Sequence, residues 1–404
     1  MEWTGKWWVF DGPAYSRLWE KSAIGALIDG GGLALSDIEV MFSRNHRGVS
    51  FPSIPDDNAM LGWVNERLMN DPALIQEYAI LEALRIPGNK VVLQHNFSKL
   101  GIDDSNSWGI RWASDKHPSK HKPDSEVIWF NSSELLSGNS DLSHSLESLL
   151  HWSNEVCSKD RISEVLVVDE EKSVVTYRIS ESNPTGVLIP PEFDEFQRIS
   201  NLESIDLGEN GVFIVHDDDW AFDAIGLPLH GGRQLENIEY EVVQSVTNQA
   251  TESMSVSSSI VLDLWKRGLN TRSGFKYGTK WRCYPSIVGE GHAPWLVVDP
   301  SLDNPKNWAE ACLSSRLASG VNKDWLYPIN DDENGWRYLQ ISRPPSDSRW
   351  SNPIRHSFCL FRLLPVAMDI AIRMRTMEIA LEGIASQFNG CLLYTSDAAD
   401  ERLR

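Results

Sequence analysis

The chain has 404 residues, 41% hydrophobic and 23% charged, which is enough for two or three domains and excludes both wholesale disorder and a disulfide-built miniprotein. Its 57 Asp and Glu against 37 Lys and Arg give a net charge of −20, which taken alone argues against nucleic-acid binding but says little about one local site. No run of about 18 uncharged apolar residues occurs, and Met1-Glu2-Trp3-Thr4 does not open a secretory signal, so neither a membrane span nor export is expected.

In chain order, Pro13 to Asp29 reads as a helix stopped by Gly30-Gly31-Gly32. Glu39 to Val49 reads as helix then strand, and Ala73 to Leu84 as helix. A helix-like stretch from Ser143 to Cys157 precedes strand Val165–Val168, the acidic turn Asp169-Glu170-Glu171 and strand Val174–Ser180. Glu181 to Pro191, with Pro184, Gly186, Pro190 and Pro191, reads as a short extended linker. Gly211 to Val215 is a strand, and Ser253 to Arg267 is a helix ended by Gly268. Trp308 to Leu317 is helical and leads into strand, acidic turn and strand again, from Leu326 to Ser342.

These last pieces repeat the earlier ones. Asp169 and Asp331 are 162 residues apart, and so are Ser180 and Ser342. That period is too long for a solenoid and fits two copies of one domain. Beyond them, Ile354 to Phe388 reads as an amphipathic helical tail broken at Pro365. Cys391 to Glu401 looks like a translated sequencing adaptor, so 391–404 stands outside the fold reading.

Charge is unevenly spread. From Leu264 to Tyr284 stand Lys266, Arg267, Arg272, Lys276, Lys280 and Arg282 with no acid, which leaves −26 on the rest of the chain. A basic island on an acidic body points to an anion site. The five cysteines, Cys157, Cys283, Cys312, Cys359 and Cys391, include no C-x-x-C pair, which predicts a reducing, cytoplasmic setting and no zinc site. His117 and His121 lie four apart, but Pro118 spoils a helical metal pair. No metal or cofactor is expected.

Four pieces then follow in order. Helix-end Lys266-Arg267-Gly268-Leu269 leads to Gly274-Phe275-Lys276-Tyr277-Gly278 and to a strand ending in Tyr284. His292 opens the apolar stretch Trp295–Val298, and Arg316-Leu317-Ala318-Ser319-Gly320-Val321-Asn322-Lys323 closes the set. Together they resemble the archaeal tRNA-splicing endonuclease family, clearly over Ser257 to Arg343 and faintly elsewhere. The resemblance implies an α/β fold with a mixed sheet of restriction-endonuclease-like type. It implies the family's tandem-duplicated form, with a small N-terminal α/β subdomain in each copy. The expected organisation is a degenerate, structural unit over 1–182, a linker over 183–192, and a second-unit subdomain over 193–250. A catalytic domain over 251–344 and a helical tail over 345–390 follow.

The resemblance also implies a catalytic triad of Tyr284, His292 and Lys323. Metal-free RNA cleavage needs a base for the 2′-hydroxyl, an acid for the leaving 5′-oxygen and a cation for the phosphorane. An imidazole ordinarily titrates near 6.5 and donates readily at neutrality. A phenol near 10 needs a cation beside it to act as a base, and a lysine can be that cation. Arg316 matches the family arginine that stacks on a flipped-out base, Arg337 is the candidate for the second, and Arg282 and Lys276 are expected on the RNA. The expected partners are precursor tRNA and a second copy of the chain, giving a four-unit assembly into which acidic loops such as Asp169-Glu170-Glu171 dock. Neither a membrane nor DNA is an expected partner, since DNA lacks the 2′-hydroxyl.

In the first copy, Arg111 is matched to Arg282, Ala113 to Tyr284, Lys159 to Lys323 and Trp152 to Arg316, with His121 eight beyond Ala113. The base and the stacking arginine are thus missing there. Two rival readings remain: a noncatalytic RNA-binding or assembly subunit of the same fold, and a metal-dependent nuclease, which needs carboxylates that the strand Trp295–Val298 does not offer.

Overall fold

Ten strands pair into one sheet that runs through both halves of the sequence. The computed structural model describes residues 1–102, 104–136, 145–215, 220, 222–331 and 335–345. The expected tail and the adaptor-like segment lie outside these residues. The α/β class agrees with the sequence reading.

From one edge to the centre, the second half contributes strands Asn270–Ser273, Trp281–Tyr284, Trp295–Val297, Asp324–Asp331 and Gly335–Ser342. The first half supplies Val174–Ser182, Ile162–Val168, Ser125–Asn131, Gly109–Trp112 and Lys90–Leu93 to the other edge. Read inward from its own edge, each half pairs antiparallel, antiparallel, parallel, antiparallel. The two halves meet through an antiparallel ladder in which Ile341 faces Ile179, flanked by Tyr338 with Ser182 and Ser342 with Arg178. Ile179 and Ile341 are themselves 162 residues apart, so the sequence period places a pseudo-twofold axis at that pair. Each half also carries a four-stranded sheet of order first, second, fourth, third: Glu2–Trp3, Trp8–Phe10, Ala26–Leu27 and Leu33–Leu35 in one, and Ser204–Asp206, Val212–Val215, Leu227–Leu229 and Gly232–Leu235 in the other.

Helices Leu146–Ser158 and Trp308–Gly320 cover the joint and are themselves offset by 162. Ser145 and Asn307 cap them, accepting from the backbone N–H of Ser148 and Glu310. One core lies beneath both and mixes the halves: Val165, Tyr177 and Ile179 pack with Leu296, Trp325 and Ile341. Phe130 stacks on Trp308 at 4.4 Å between ring centroids, and Tyr177 Oη donates to the Cys312 carbonyl at 3.0 Å. The halves therefore share buried apolar surface, the main stabilising term in folding.

Helix Val256–Lys266 buries Ile260, Val261, Leu264 and Trp265 and ends at Gly268, whose φ of 74° suits a C′ glycine. Some expectations needed correction. The first helix spans only Tyr15–Ser22, because the chain turns at Ala23 (φ 48°) into strand Ala26–Leu27. The stretch after Glu39 stays helical to Arg47. The linker between halves is pinned to the second one. Gly186 N donates to Arg267 O at 2.9 Å, Val187 N to Pro285 O at 2.7 Å and Leu188 N to Gly268 O at 3.1 Å. A Cβ at Gly186 would lie 2.0 Å from the Gly268 carbonyl oxygen, so only glycine fits.

In the first half, helix Leu74–Arg85 places Glu77 near Asp71 and Asp37. Burial, and then those charges, push its carboxyl up to about 7 from an ordinary 4.5, while Trp108 Nε1 donates to it at 3.1 Å. The folded state thus keeps a proton that the unfolded chain has released, and stability falls as pH rises from about 4.5 to about 7. Glu77→Gln should flatten that fall and add on the order of 2 kcal/mol at alkaline pH, read from urea unfolding curves between pH 5 and 8.

Candidate active site

Three adjacent strands of the second half end on one side of the sheet. Cys283 faces Trp295 across an antiparallel pair, and Trp295 faces Asp324 across a parallel one. Tyr284 lies one residue beyond this row, Lys323 one before it, and His292 three before Trp295. Given those strand directions, all three emerge at the same sheet end. Asp324 N donates to Pro294 O at 2.8 Å, and Lys323 Nζ donates to the Ala293 carbonyl beside His292. His292 is exposed, Lys323 half-buried and Tyr284 8% exposed.

Cations dominate the electrostatics here. Lys323 Nζ sits 5.4 Å from the centre of the Tyr277 ring. Burial, and then the Arg282 charge, hold its ammonium below the ordinary lysine value. Arg282 Cζ is 5.6 Å from the Tyr284 ring, and its Nε is shielded from solvent without a hydrogen-bond partner. Residues two apart on a strand share a face, so this approach follows from the spacing alone. Arg282 also lines a cleft of about 320 Å³ with Arg272, Trp281, Gln234 and Glu239.

The basic island divides by use. Arg267 pairs with Asp263 at 2.6 Å, Lys280 pairs with Glu236 at 2.8 Å, and Arg272 donates to the carbonyls of Asp223 and Ala224 at 2.8 and 2.9 Å. By contrast, Lys276, Arg282, Arg316 and Lys323 have no carboxylate partner among the described residues. Arg316 is exposed on helix Trp308–Gly320, and Lys276 is exposed on the 3-10 turn Phe275–Tyr277. The second half therefore presents positive charge without carboxylate partners despite the net charge of −20.

Arg337 is engaged differently. Its Nε and Nη2 donate to Glu181 at 2.9 and 2.8 Å, and its Nη1 donates to Asp331 at 3.0 Å. These bonds raise its pKa further and tie the two halves across their joint. Its fork is occupied in this structure rather than open to a base. Sequence reasoning missed this ladder and the Tyr277 platform under Lys323; the Tyr in Gly274-Phe275-Lys276-Tyr277-Gly278 was the available signal.

Strand pairing corrects the matching of the first half. The 162 offset holds through both helices and both central hairpins, so Arg161 stands opposite Lys323 and Asn154 opposite Arg316, in place of Lys159 and Trp152. Arg111 pairs with Ser125 as Cys283 pairs with Trp295, which sets Trp112 rather than Ala113 at the place of Tyr284. Each counterpart is closed off. Trp112 Nε1 donates to His121 O at 2.9 Å, and Arg161 is neutralised by Glu126 at 2.6 Å. Arg111 Nη1 donates to both Glu164 oxygens at 2.8 Å, with both side chains fully buried.

Among the described residues no three His, Cys, Asp or Glu side chains gather as a metal site needs, and no helix is long and apolar enough to cross a membrane. Residues 256–338 match the family described as tRNA intron endonuclease, catalytic C-terminal domain. A tRNA-splicing endonuclease of Picrophilus torridus is 31% identical over 180 residues, 44% of this chain and 55% of that protein. One of Thermoplasma volcanium is 29% identical over 178 residues, again 44% of this chain and 53% of that protein. One of Hyperthermus butylicus is 26% identical over 173 residues, 42% of this chain and 83% of that protein. The chain spans about half the length of the first two relatives. The matched segment contains Tyr284, His292, Arg316, Lys323 and Arg337, and in that segment the chain is similar to the catalytic domain of tRNA intron endonucleases.

Proposed function

We propose that this protein cuts precursor tRNA at intron boundaries, by general acid–base catalysis without a metal. The observation that carries this reading is the strand register that brings Tyr284, His292 and Lys323 to one sheet end. Tyr284 takes the proton of the 2′-hydroxyl, whose oxygen attacks the adjacent phosphorus. His292 gives a proton to the departing 5′-oxygen. Lys323, with Arg282 beside it, stabilises the charge on the phosphorane. The products are a 2′,3′-cyclic phosphate and a 5′-hydroxyl.

The target is a bulge–helix–bulge, recognised by shape and by splayed bases. Arg316 stacks on one such base, and Lys276 and Arg282 neutralise phosphates. Arg337 takes a second base only if its bonds to Glu181 and Asp331 open. The matching topologies of the halves support descent from one duplicated domain, the first now structural. Two chains then make a four-unit assembly, with the exposed Glu170 and Glu171 as a docking loop.

Incubating the full chain with a bulge–helix–bulge precursor tRNA, with and without EDTA, tests the reading. EDTA-resistant cleavage leaving cyclic phosphate ends is expected. Binding without cleavage would favour the assembly-subunit alternative, and cleavage abolished by EDTA would overturn the mechanism.

A further inference from the structure

The turn between strands Asn270–Ser273 and Trp281–Tyr284 displays Phe275 with 88% of its surface exposed. Its backbone is held firmly. Gly274 N donates to Lys280 O at 2.9 Å, Tyr277 N to Gly274 O at 2.8 Å and Phe275 N to Ser273 Oγ at 3.3 Å. A Cβ on Gly274 would lie 2.5 Å from the Thr279 carbonyl oxygen, so the turn is a fixed mount. Two residues on, Tyr277 packs into the core and carries the Lys323 ammonium. One short turn thus anchors a catalytic candidate with one aromatic ring and offers another to solvent, with the exposed Lys276 between them.

The first half contains an internal control. Its 3-10 turn Ser98–Leu100 ends at Gly101 with φ 66° and ψ 32°, where the second half has Gly278 with φ 69° and ψ 30°. Ser98 therefore stands where Phe275 does, Lys99 where Lys276 does and Leu100 where Tyr277 does. Lys99 is folded over the Trp7 ring at 3.6 Å. The anchoring residue packs against a core in both halves, whereas the exposed ring occurs only in the half that carries the catalytic candidates.

We propose that Phe275 is a stacking platform for an unpaired base of the RNA substrate, a specificity-determining residue beyond the triad and the arginines. This rests on the function proposed above. A solvent-facing phenyl ring on a rigid mount gains by covering its face, and every base offers a flat π surface to cover it. Lys276 supplies the charge for the adjoining phosphate. The turn closes the hairpin at its Ser273–Trp281 end, while Tyr284 stands at the other end opposite Asn270, so a base docked there would set the register of the RNA along that strand and hence which nucleotide reaches the triad.

The test uses the full chain, a bulge–helix–bulge precursor tRNA carrying 2-aminopurine at an unpaired position, and the variants Phe275→Ala, Phe275→Trp and Phe275→Leu. Phe275→Ala should raise Kd and KM about tenfold and change single-turnover kcat less than about threefold. Phe275→Trp should restore binding, and Phe275→Leu, apolar but without a π face, should not. Wild type and Phe275→Trp should quench the 2-aminopurine, and Phe275→Ala should not. Unchanged affinity in Phe275→Ala, or full rescue by leucine, would overturn the proposal while leaving the endonuclease reading intact. A loss of chain self-association in Phe275→Ala, read by sedimentation, would assign the ring to a protein interface and overturn it too. A wild-type chain that neither binds nor cuts the RNA would sink both.

Discussion

Lys323→Ala is expected to slow single-turnover cleavage by about 10²–10⁴-fold, with RNA affinity changed by less than about tenfold. Its ammonium is fixed from two sides, by the Ala293 carbonyl and by the Tyr277 ring. A cation held this way needs no reorganisation as negative charge builds on the phosphorane, which is why its loss falls on kcat. His292→Ala should lose about 10²–10⁴-fold for a different reason, the missing proton donor. A leaving group that needs no proton separates the two. A 5′-thio substitution at the scissile phosphate should restore much of the His292→Ala rate and little of the Lys323→Ala rate. Equal rescue of both variants would contradict the assigned roles.

Glu164→Leu in the first half is expected to cost about 3–5 kcal/mol of stability without altering any catalytic candidate. Arg111 and Glu164 are both fully buried, and removal of the acid takes away the carboxylate that balances the guanidinium and accepts both of its Nη1 hydrogen bonds. Ser125 Oγ, which donates to Glu164 at 2.6 Å, also loses its acceptor. The second half shows how the same place is filled without charge, by Cys283 and Leu326. The double variant Arg111→Cys, Glu164→Leu should therefore recover to within about 2 kcal/mol of wild type, the remainder reflecting Ser125. Urea unfolding of the two single variants and the double variant gives the cycle. A double variant no better than Glu164→Leu alone would show that the halves do not share this packing.

Much of this architecture was legible because the strand–turn–strand pieces around Asp169 and Asp331 kept their lengths, and a constant 162 offset then sets the register at the joint. Outward from the joint the loops differ in length. From Ser125 to Ile162 is 37 residues, but from Trp295 to Asp324 only 29, so likeness between residues became a poor guide. Lys159 looks like Lys323, yet the helix and strand on either side require Arg161. A shift of one residue, as between Ala113 and Trp112, turns a side chain to the other face and changes its neighbours entirely. The linker's composition likewise hides its contacts. Pro184 and Gly186 look like a spacer by composition, whereas Gly186 is there because Gly268 of the second half lies against it. Tyr284, His292 and Lys323 stand out in the sequence by motif, as candidates that the strand register then brings to one sheet end. The cation over Tyr284 could have been found by strand alternation from Arg282. The ion-pair ladder from Arg337 to Glu181 spans 156 residues, and no local pattern signals it.

The most direct test of RNA self-cleavage chemistry at this site is a single 2′-deoxynucleotide placed immediately 5′ of the scissile phosphate in an otherwise unmodified precursor tRNA. Tyr284 then has no hydroxyl to deprotonate. Binding should persist, and cleavage at that junction should fall below detection while the unmodified junction is still cut. Cleavage of the deoxy junction at a comparable rate would require water as the nucleophile and would contradict the roles given to Tyr284, His292 and Lys323.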